Sequence, residues 1–221
     1  MKKVVIYGVG SPILVDVEES LFRAGIIIVA GVMNYAGKSF LSDAIPLMTP
    51  DEITDQLTDL PFIVPFFTPG NRQQAVLEAR QKGFSHPYTL IDSTSVIPRS
   101  LNIESGGYIN AGCSLGAHSD FGSFVFINRG VSIGHHANIA HFVSIGPGAV
   151  LAGSVTIGVG AMIGTGSVVL PEITIGENSV IGAGSVVTRH VPAHCLAVGN
   201  PARIVKENIA GYKEINVSIS K

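Results

Sequence analysis

From Ile97 to Val187 every sixth residue is apolar, an unbroken series of sixteen positions. The series runs through Ile103, Ile109, Leu115, Phe121, Ile127, Ile133, Ile139, Ile145, Leu151, Ile157, Ile163, Val169, Ile175 and Ile181. A period of six matches neither the 3.6 of an α-helix nor the alternation of a two-faced strand. It matches a chain that turns a corner every six residues and buries one large side chain per flat, a hexapeptide β-helix. With three flats per coil, residues 18 apart stack at about 4.8 Å, and residues 97–187 make about five coils. The residue after each apolar one is often small or turn-forming, as at Asn110, Gly116, Gly134, Gly146 and Gly164. This predicts that it takes the positive φ of the corner. Two residues before each apolar one a small or β-branched residue recurs, as at Cys113, Ala137, Ala149, Ser167 and Ser185, which suits a narrow interior. A hairpin sandwich would instead show turn signals roughly every 8–12 residues.

Residues 1–90 lack this phase and alternate between strand and helix patterns. Val4–Tyr7 reads as a buried strand, Gly8–Pro12 as a tight turn with Pro12 suited to a first helical turn, and Ile13–Ala24 as a helix. Ile26–Val32 is a second strand. Thr49-Pro50-Asp51-Glu52 opens a short helix with Thr49 as N-cap. Pro61–Phe67 is a third strand, and Asn71–Lys82 a helix stopped by Gly83. The expected layout is therefore a small Rossmann-like parallel α/β domain at 1–92 and the β-helix with a carboxyl-terminal cap at 93–221. In that cap, Val191–Gly199 leaves the phase and Pro201–Glu207 forms a closing helix or strand over the open edge.

The 221 residues carry a net charge of −2, so no basic surface argues for nucleic acid. The apolar run Ala24–Met33 is too short to span a bilayer. The apolar stretch after Lys2 and Lys3 is broken by Gly8, Gly10 and Pro12, which argues against an export signal. The two cysteines, Cys113 and Cys195, are too few for a disulfide scaffold; a cytoplasmic protein with free thiols is expected.

Three of seven histidines, His135, His136 and His141, crowd one coil, and His118 lies 18 before His136. Counting from Ile133, His135 falls at a corner and outside the coil, with Gly153 stacked above it. An imidazole beside a glycine N–H is a workable acyl-transfer pair: one takes a proton and the other receives an oxyanion. Solvated turn histidines are the plain alternative. In the amino-terminal half, Gly8-Val9-Gly10 lets backbone amides approach a phosphate at a helix start. Ile13 stands where a dinucleotide fingerprint wants glycine, and Asn34-Tyr35 follows strand two where an acidic ribose ligand would stand, so NAD binding is not expected.

Three features together carry a family resemblance: the coil phase, the stretch Gly134-His135-His136-Ala137-Asn138-Ile139 with Ser144 to Gly153, and the ending Val198-Gly199-Asn200-Pro201-Ala202. With the α/β half, they resemble the sialic acid O-acetyltransferase / nucleotide-aminosugar N-acetyltransferase family of hexapeptide-repeat acyltransferases over nearly the whole chain. The resemblance implies a left-handed β-helix, a homotrimer and acetyl-CoA lying between neighbouring coils, with no metal. It assigns His135 as catalytic base, His136 to the position of an often acidic partner, and Gly153 as oxyanion donor. Ser144 would touch the acetyl donor, and Thr165 and Ala183 would line the coenzyme path. The nucleotide of a sugar substrate would sit at Gly8, Gly10, Ser11, Asn34 and Tyr35. The implied reaction is N-acetylation of a nucleotide-linked amino sugar for bacterial surface glycans. Sugar or sialic acid O-acetylation stays open beside it. So do a zinc-dependent carbonic-anhydrase-like reading of His118, His136 and His141, and a non-catalytic scaffold.

Overall fold

A computed structural model describes residues 2–219; Met1 and Ser220–Lys221, the extreme ends of the two expected domains, lie outside the described residues. The amino-terminal part is a four-stranded parallel sheet. Its strands are β1 (Lys3–Tyr7), β2 (Ile27–Val32), β3 (Leu47–Met48) and β4 (Phe62–Ile63), in the order β3-β2-β1-β4. The amphipathic helix α1 (Leu14–Arg23) follows the Gly8–Pro12 turn and buries Leu14, Val17 and Leu21. Pro12 lies ahead of the Ile13 N-cap rather than inside the first turn. The Thr49 capping box closes a single 3-10 turn at Pro50–Glu52, and α2 (Asp55–Thr58) is one further turn. The third expected strand is shorter than its apolar run: only Phe62 and Ile63 pair with β1, and Pro65 and the residues to Thr68 turn away to start α3 (Pro69–Gln81).

From Leu90 onward the chain winds as a parallel, left-handed β-helix of two-residue strands. Residues 18 apart pair in register, as Phe126 does with Ser144, Ser132 with Val150, and Asn138 with Thr156. Three flats result. The first carries Tyr108, Phe126, Ser144, Met162 and Val180 outward; the second Ser114, Ser132, Val150, Val168 and Val186; the third Asn102, Asp120, Asn138, Thr156 and Thr174. The predicted apolar series fills the interior as one cluster, with Ile97 and Ile103 at its partly open first rung. The small partners also point inward, including the fully buried Ser167, Ser179 and Ser185. Leu196–Gly199 and Ala202–Lys206 form an antiparallel hairpin that caps the last coil, so the closing element is a strand.

The corners differ from expectation in one respect. From Ile103 to Ile181 the positive-φ residue is the third after each apolar position, not the first: His118, His136, Ser154 and Glu172 form one such column, and Gly130, Gly148 and Gly166 another. Where the residue just after the apolar one is glycine, it is small for a different reason, the closeness of the next coil. A Cβ on Gly134 would lie 2.6 Å from the Gly153 nitrogen, and one on Gly146 2.7 Å from that of Thr165. Crowding, not handedness of φ, explains the small residues there.

The α/β domain packs on the first flat. Tyr108 and Phe126 join Leu14, Val17 and Leu21 in one cluster, and Phe124 and Phe142 join Tyr7, Phe62 and Val76 in another. Two polar clamps fix the docking. The buried Asp92 carboxylate accepts from Ser20 (2.6 Å), Arg23 and Thr94 (2.6 Å). Burial alone works against its charge, but hydrogen bonds from Arg23, Ser20 and Thr94 hold it well below the usual carboxylate range. The buried Arg72 of α3 donates to the carbonyls of Phe124, Phe66, Phe67, Phe142 and Val143 and to Ser144 Oγ. Burial disfavours its charge, and carbonyl acceptors on both domains answer it.

Candidate active site

His135 and His136 stand at the vertex between the second and third flats, and both are exposed in the single chain. The corner holds His136 at φ 56°, so its ring stacks on that of His118 one coil below, centroids 5.4 Å apart. His135 points the other way along the vertex, onto Gly153. A Cβ at Gly153 would lie 2.8 Å from His135 Cε1 and 2.9 Å from Nε2. The glycine is thus what admits the ring. The Gly153 carbonyl accepts from Glu172 (3.0 Å); among the described residues its N–H makes no hydrogen bond within the chain.

His135 Nδ1 and His136 Nδ1 are 2.9 Å apart. Such a contact needs one donor and one acceptor, so one ring carries its proton on Nδ1 and the other does not. When His135 is the donor, its Nε2 is left with a free lone pair beside Gly153, the form a general base requires.

A second site opens at the carboxyl ends of β1 and β2. Here the strand order reverses about β1, the usual ligand crevice of an open parallel sheet. A cavity of about 380 Å³ is lined by Gly10, Asn34, Tyr35, Phe66, Asn71, Gln74, Ala75 and Glu78. A neighbouring one of about 280 Å³ shares Gly10, Phe66 and Asn71 and adds Ser11, Thr68 and Lys213. Gly8 has φ 93° and packs under Phe66, so it shapes the turn and lines neither cavity. Asn34 Nδ2 donates to Glu78 Oε2 (2.8 Å).

Residues 154–189 match the family described as bacterial transferase hexapeptide (six repeats). No curated protein matches the sequence. PerB from Caulobacter crescentus, solved in complex with CoA and GDP-perosamine, is 31% identical; the superposition covers 93% of this chain and 98% of that one, with a TM-score of 0.82. A histidine mutant of perosamine N-acetyltransferase from the same organism, with the same two ligands, is 30% identical over 94% of this chain and 98% of that one, TM-score 0.83. The acetyltransferase domain of PglB from Neisseria gonorrhoeae, 24% identical over 92% and 99% of the two chains with a TM-score of 0.81, shares the fold. The chain belongs to the hexapeptide-repeat sugar acetyltransferases, in the family of sialic acid O-acetyltransferases and nucleotide-aminosugar N-acetyltransferases. Its chemistry is CoA-dependent acetyl transfer to a sugar.

In this acetyltransferase the expected site residues divide among four places, the amino-terminal turn with its cavities and three on the coil. His135, His136 and Gly153 meet at one vertex, as the 18-residue arithmetic requires. Thr165 and Ala183 stack at a different vertex, between the first and second flats. Ser144 is a correction. It is fully buried under the α/β domain, its hydroxyl donating to the Phe67 carbonyl and accepting from Arg72, so it is not free to touch an acetyl donor. The cause is the docking of the first flat, which no local pattern announces. His141 does not join His136 either. Its Nδ1 pairs with Ser123 (2.9 Å) and lies 3.5 Å from Glu104 at the third vertex. Among the described residues no three His, Cys, Asp or Glu side chains gather as a metal site. Sequence reasoning missed Phe66, Asn71, Gln74 and Glu78. Their one available signal was position: the loop after the third strand and the helix that follows it lie beside the first turn in any open parallel sheet.

Proposed function

We propose that this acetyltransferase moves the acetyl group of acetyl-CoA onto the amine of a nucleotide-linked amino sugar, with His135 as general base. The observation that carries the reading is the His135 imidazole seated against Gly153. The amine nitrogen attacks the thioester carbonyl carbon while His135 Nε2 takes the proton it loses. The Gly153 N–H receives the oxyanion. The tetrahedral species then expels the CoA thiolate, which takes the proton back from His135 and leaves as thiol. His136 accepts the His135 Nδ1–H and so sets the tautomer, a neutral stand-in for a carboxylate. Cys113 and Cys195 are buried, free and outside this vertex, and the scheme needs no cysteine nucleophile.

The working enzyme is a homotrimer in this reading. The α/β domain covers the first flat, and the His135 vertex is the one opposite that flat, so a sugar held by a chain's own domain faces away from its own base. A neighbouring chain must bring the two together. The second flat lies between the His135 vertex and the Thr165–Ala183 vertex and carries the exposed Val150, which suits it to pack against copies of itself. Backbone groups at Thr165 and Ala183 of one chain would then flank the pantetheine reaching His135 of the next. The nucleotide of the sugar occupies the cavities beside Gly10, Ser11, Asn34 and Tyr35, supported by their place at the sheet's switch point and by the nucleotide sugar bound in PerB. No helix among the described residues is long and apolar enough to cross a membrane, and buried free thiols suit work in the cytoplasm.

The test is thiol release from acetyl-CoA with a panel of nucleotide-linked amino sugars and their hydroxy counterparts. Wild type should turn over an amino sugar, and His135→Ala should lower kcat about 10²-fold or more at unchanged acetyl-CoA affinity. Unchanged turnover in that variant removes His135 from the chemistry; turnover of the hydroxy sugars alone replaces N- by O-acetylation.

A further inference from the structure

We propose that the larger cavity of the α/β domain selects guanine among nucleobases, and that Glu78 is the residue that selects it. The inference rests on the nucleotide-sugar reading above and concerns only the base.

The two joined cavities are polarised. The smaller is lined by Thr68, the N-cap of α3, and by Ser11 and Lys213, residue types that donate to phosphate. Among the described residues the larger has no cation on its walls and one carboxylate, Glu78. A diphosphate is drawn to the first and repelled by the second, so the base lies at the Glu78 end. Phe66 and Ala75 supply apolar surface for its plane.

Glu78 sits half-buried on the inner side of α3. Its Oε2 accepts from Asn34 Nδ2, which anchors the carboxylate and turns the Asn34 amide so that Oδ1 faces elsewhere. That Oδ1 is buried and, among the described residues, makes no hydrogen bond. Among the described residues Oε1 and the remaining lone pairs of Oε2 accept no hydrogen bond of good geometry; the buried Tyr7 hydroxyl lies close enough to the carboxylate that its ionisation, disfavoured first by burial, is disfavoured further by the Glu78 charge. The wall therefore asks for donors.

The bases differ in what they offer. Guanine presents two donors side by side on its pairing edge, N1–H and the 2-amino group, the spacing a carboxylate accepts bidentately. Uracil and thymine offer one N–H flanked by two carbonyl oxygens, which a carboxylate repels. Adenine and cytosine offer an amino group next to a bare ring nitrogen, which leaves one carboxylate oxygen against a lone pair. A half-buried carboxylate without a matching donor carries an uncompensated desolvation cost, so the mismatch is penalised as well as unrewarded.

Calorimetric titration of the full chain with GDP, IDP, UDP and ADP tests this directly. GDP should bind about 100-fold or more tightly than UDP and ADP, the discrimination typical of a missing charge-assisted pair in a built site. IDP, which keeps N1–H and lacks the 2-amino group, should bind about 10-fold more weakly than GDP. In Glu78→Gln, checked for an unchanged melting profile, the preference for GDP over IDP should fall to within about 3-fold. UDP or ADP binding as tightly as GDP overturns the guanine assignment and leaves the nucleotide-sugar reading in place. Wild-type discrimination that survives in Glu78→Gln overturns the role of Glu78. Failure of all four nucleotides to bind overturns the nucleotide-sugar reading, and this inference with it.

Discussion

The imidazole of His135 occupies the space that a side chain on Gly153 would need, one coil away on the same vertex. The smallest perturbation of the proposed chemistry is therefore one methyl group. Gly153→Ala would put a Cβ within 3 Å of His135 Cε1 and Nε2, so the ring must swing off the vertex. Its Cβ points outward, so the coil interior is untouched. We expect kcat to fall about 10²-fold, comparable to loss of an oxyanion donor or base, with melting temperature and acetyl-CoA affinity close to wild type. Full activity in this variant would separate the ring from the reaction.

His136 is the second lever. It touches His135 Nδ1 to Nδ1 at 2.9 Å and supplies an acceptor without a negative charge. In His136→Asp the acceptor becomes an anion, which favours the imidazolium form of His135. A base that must be neutral before it acts then becomes available at higher pH and is stronger once available. The acidic limb of the kcat/KM profile should move up by about one pH unit, with a plateau several-fold higher. His136→Ala, which removes the acceptor, should lower the plateau. A profile unmoved by both changes would show that the two rings do not act together.

Much of this vertex was legible because it is arithmetic. Once Ile133 is inside, His135 is outside at a corner, and 18 residues later Gly153 must stack on it. The corner glycines are legible in position, but the sequence does not show their cause. Gly134 is small because the Gly153 backbone passes 2.6 Å from where its Cβ would be, a contact between coils that a φ argument does not see. Ser144 and Arg72 were illegible for one shared reason. Each reads as a surface residue on its own element, and each is buried only because the α/β domain closes over the first flat, joining positions 72 residues apart. The Asn34–Glu78 pair spans 44 residues and two elements, so no local pattern marks it.

The Asp92 clamp makes the docking sensitive to acid. Its carboxyl is held below the usual range by Arg23, Ser20 and Thr94 against the opposing effect of burial. A depressed carboxyl binds its proton more weakly in the folded state, so its stabilisation is fully present above the unfolded value near 4 and is lost as pH falls through the folded one. Asp92→Asn should destabilise the chain at pH 7 by about 2 kcal/mol. That is less than for a fully enclosed pair, because the Arg23 side chain keeps 34% exposure. The gap between variant and wild type in denaturant melts should narrow as pH falls below about 4. A constant gap from pH 7 to pH 3 would show that the carboxylate charge contributes nothing.

The opposed positions of the α/β domain and the His135 vertex make a prediction that needs two defective proteins. In one chain the nucleotide cavity lies over the first flat, while the imidazole projects where the second and third flats meet. A site made between chains takes its base from one copy and its sugar from another. Glu78→Lys should close the nucleotide cavity and leave His135 intact; His135→Ala does the reverse. Each variant alone should keep about 1% of wild-type activity or less. After the two are unfolded together and refolded, random assortment pairs a good base with a good cavity at about a quarter of the sites, so about a quarter of wild-type activity should return. Variants refolded separately and then mixed should show none of this gain. If co-refolding restores nothing although mixed oligomers are present by mass, base and cavity belong to the same chain, and the trimeric arrangement proposed here fails.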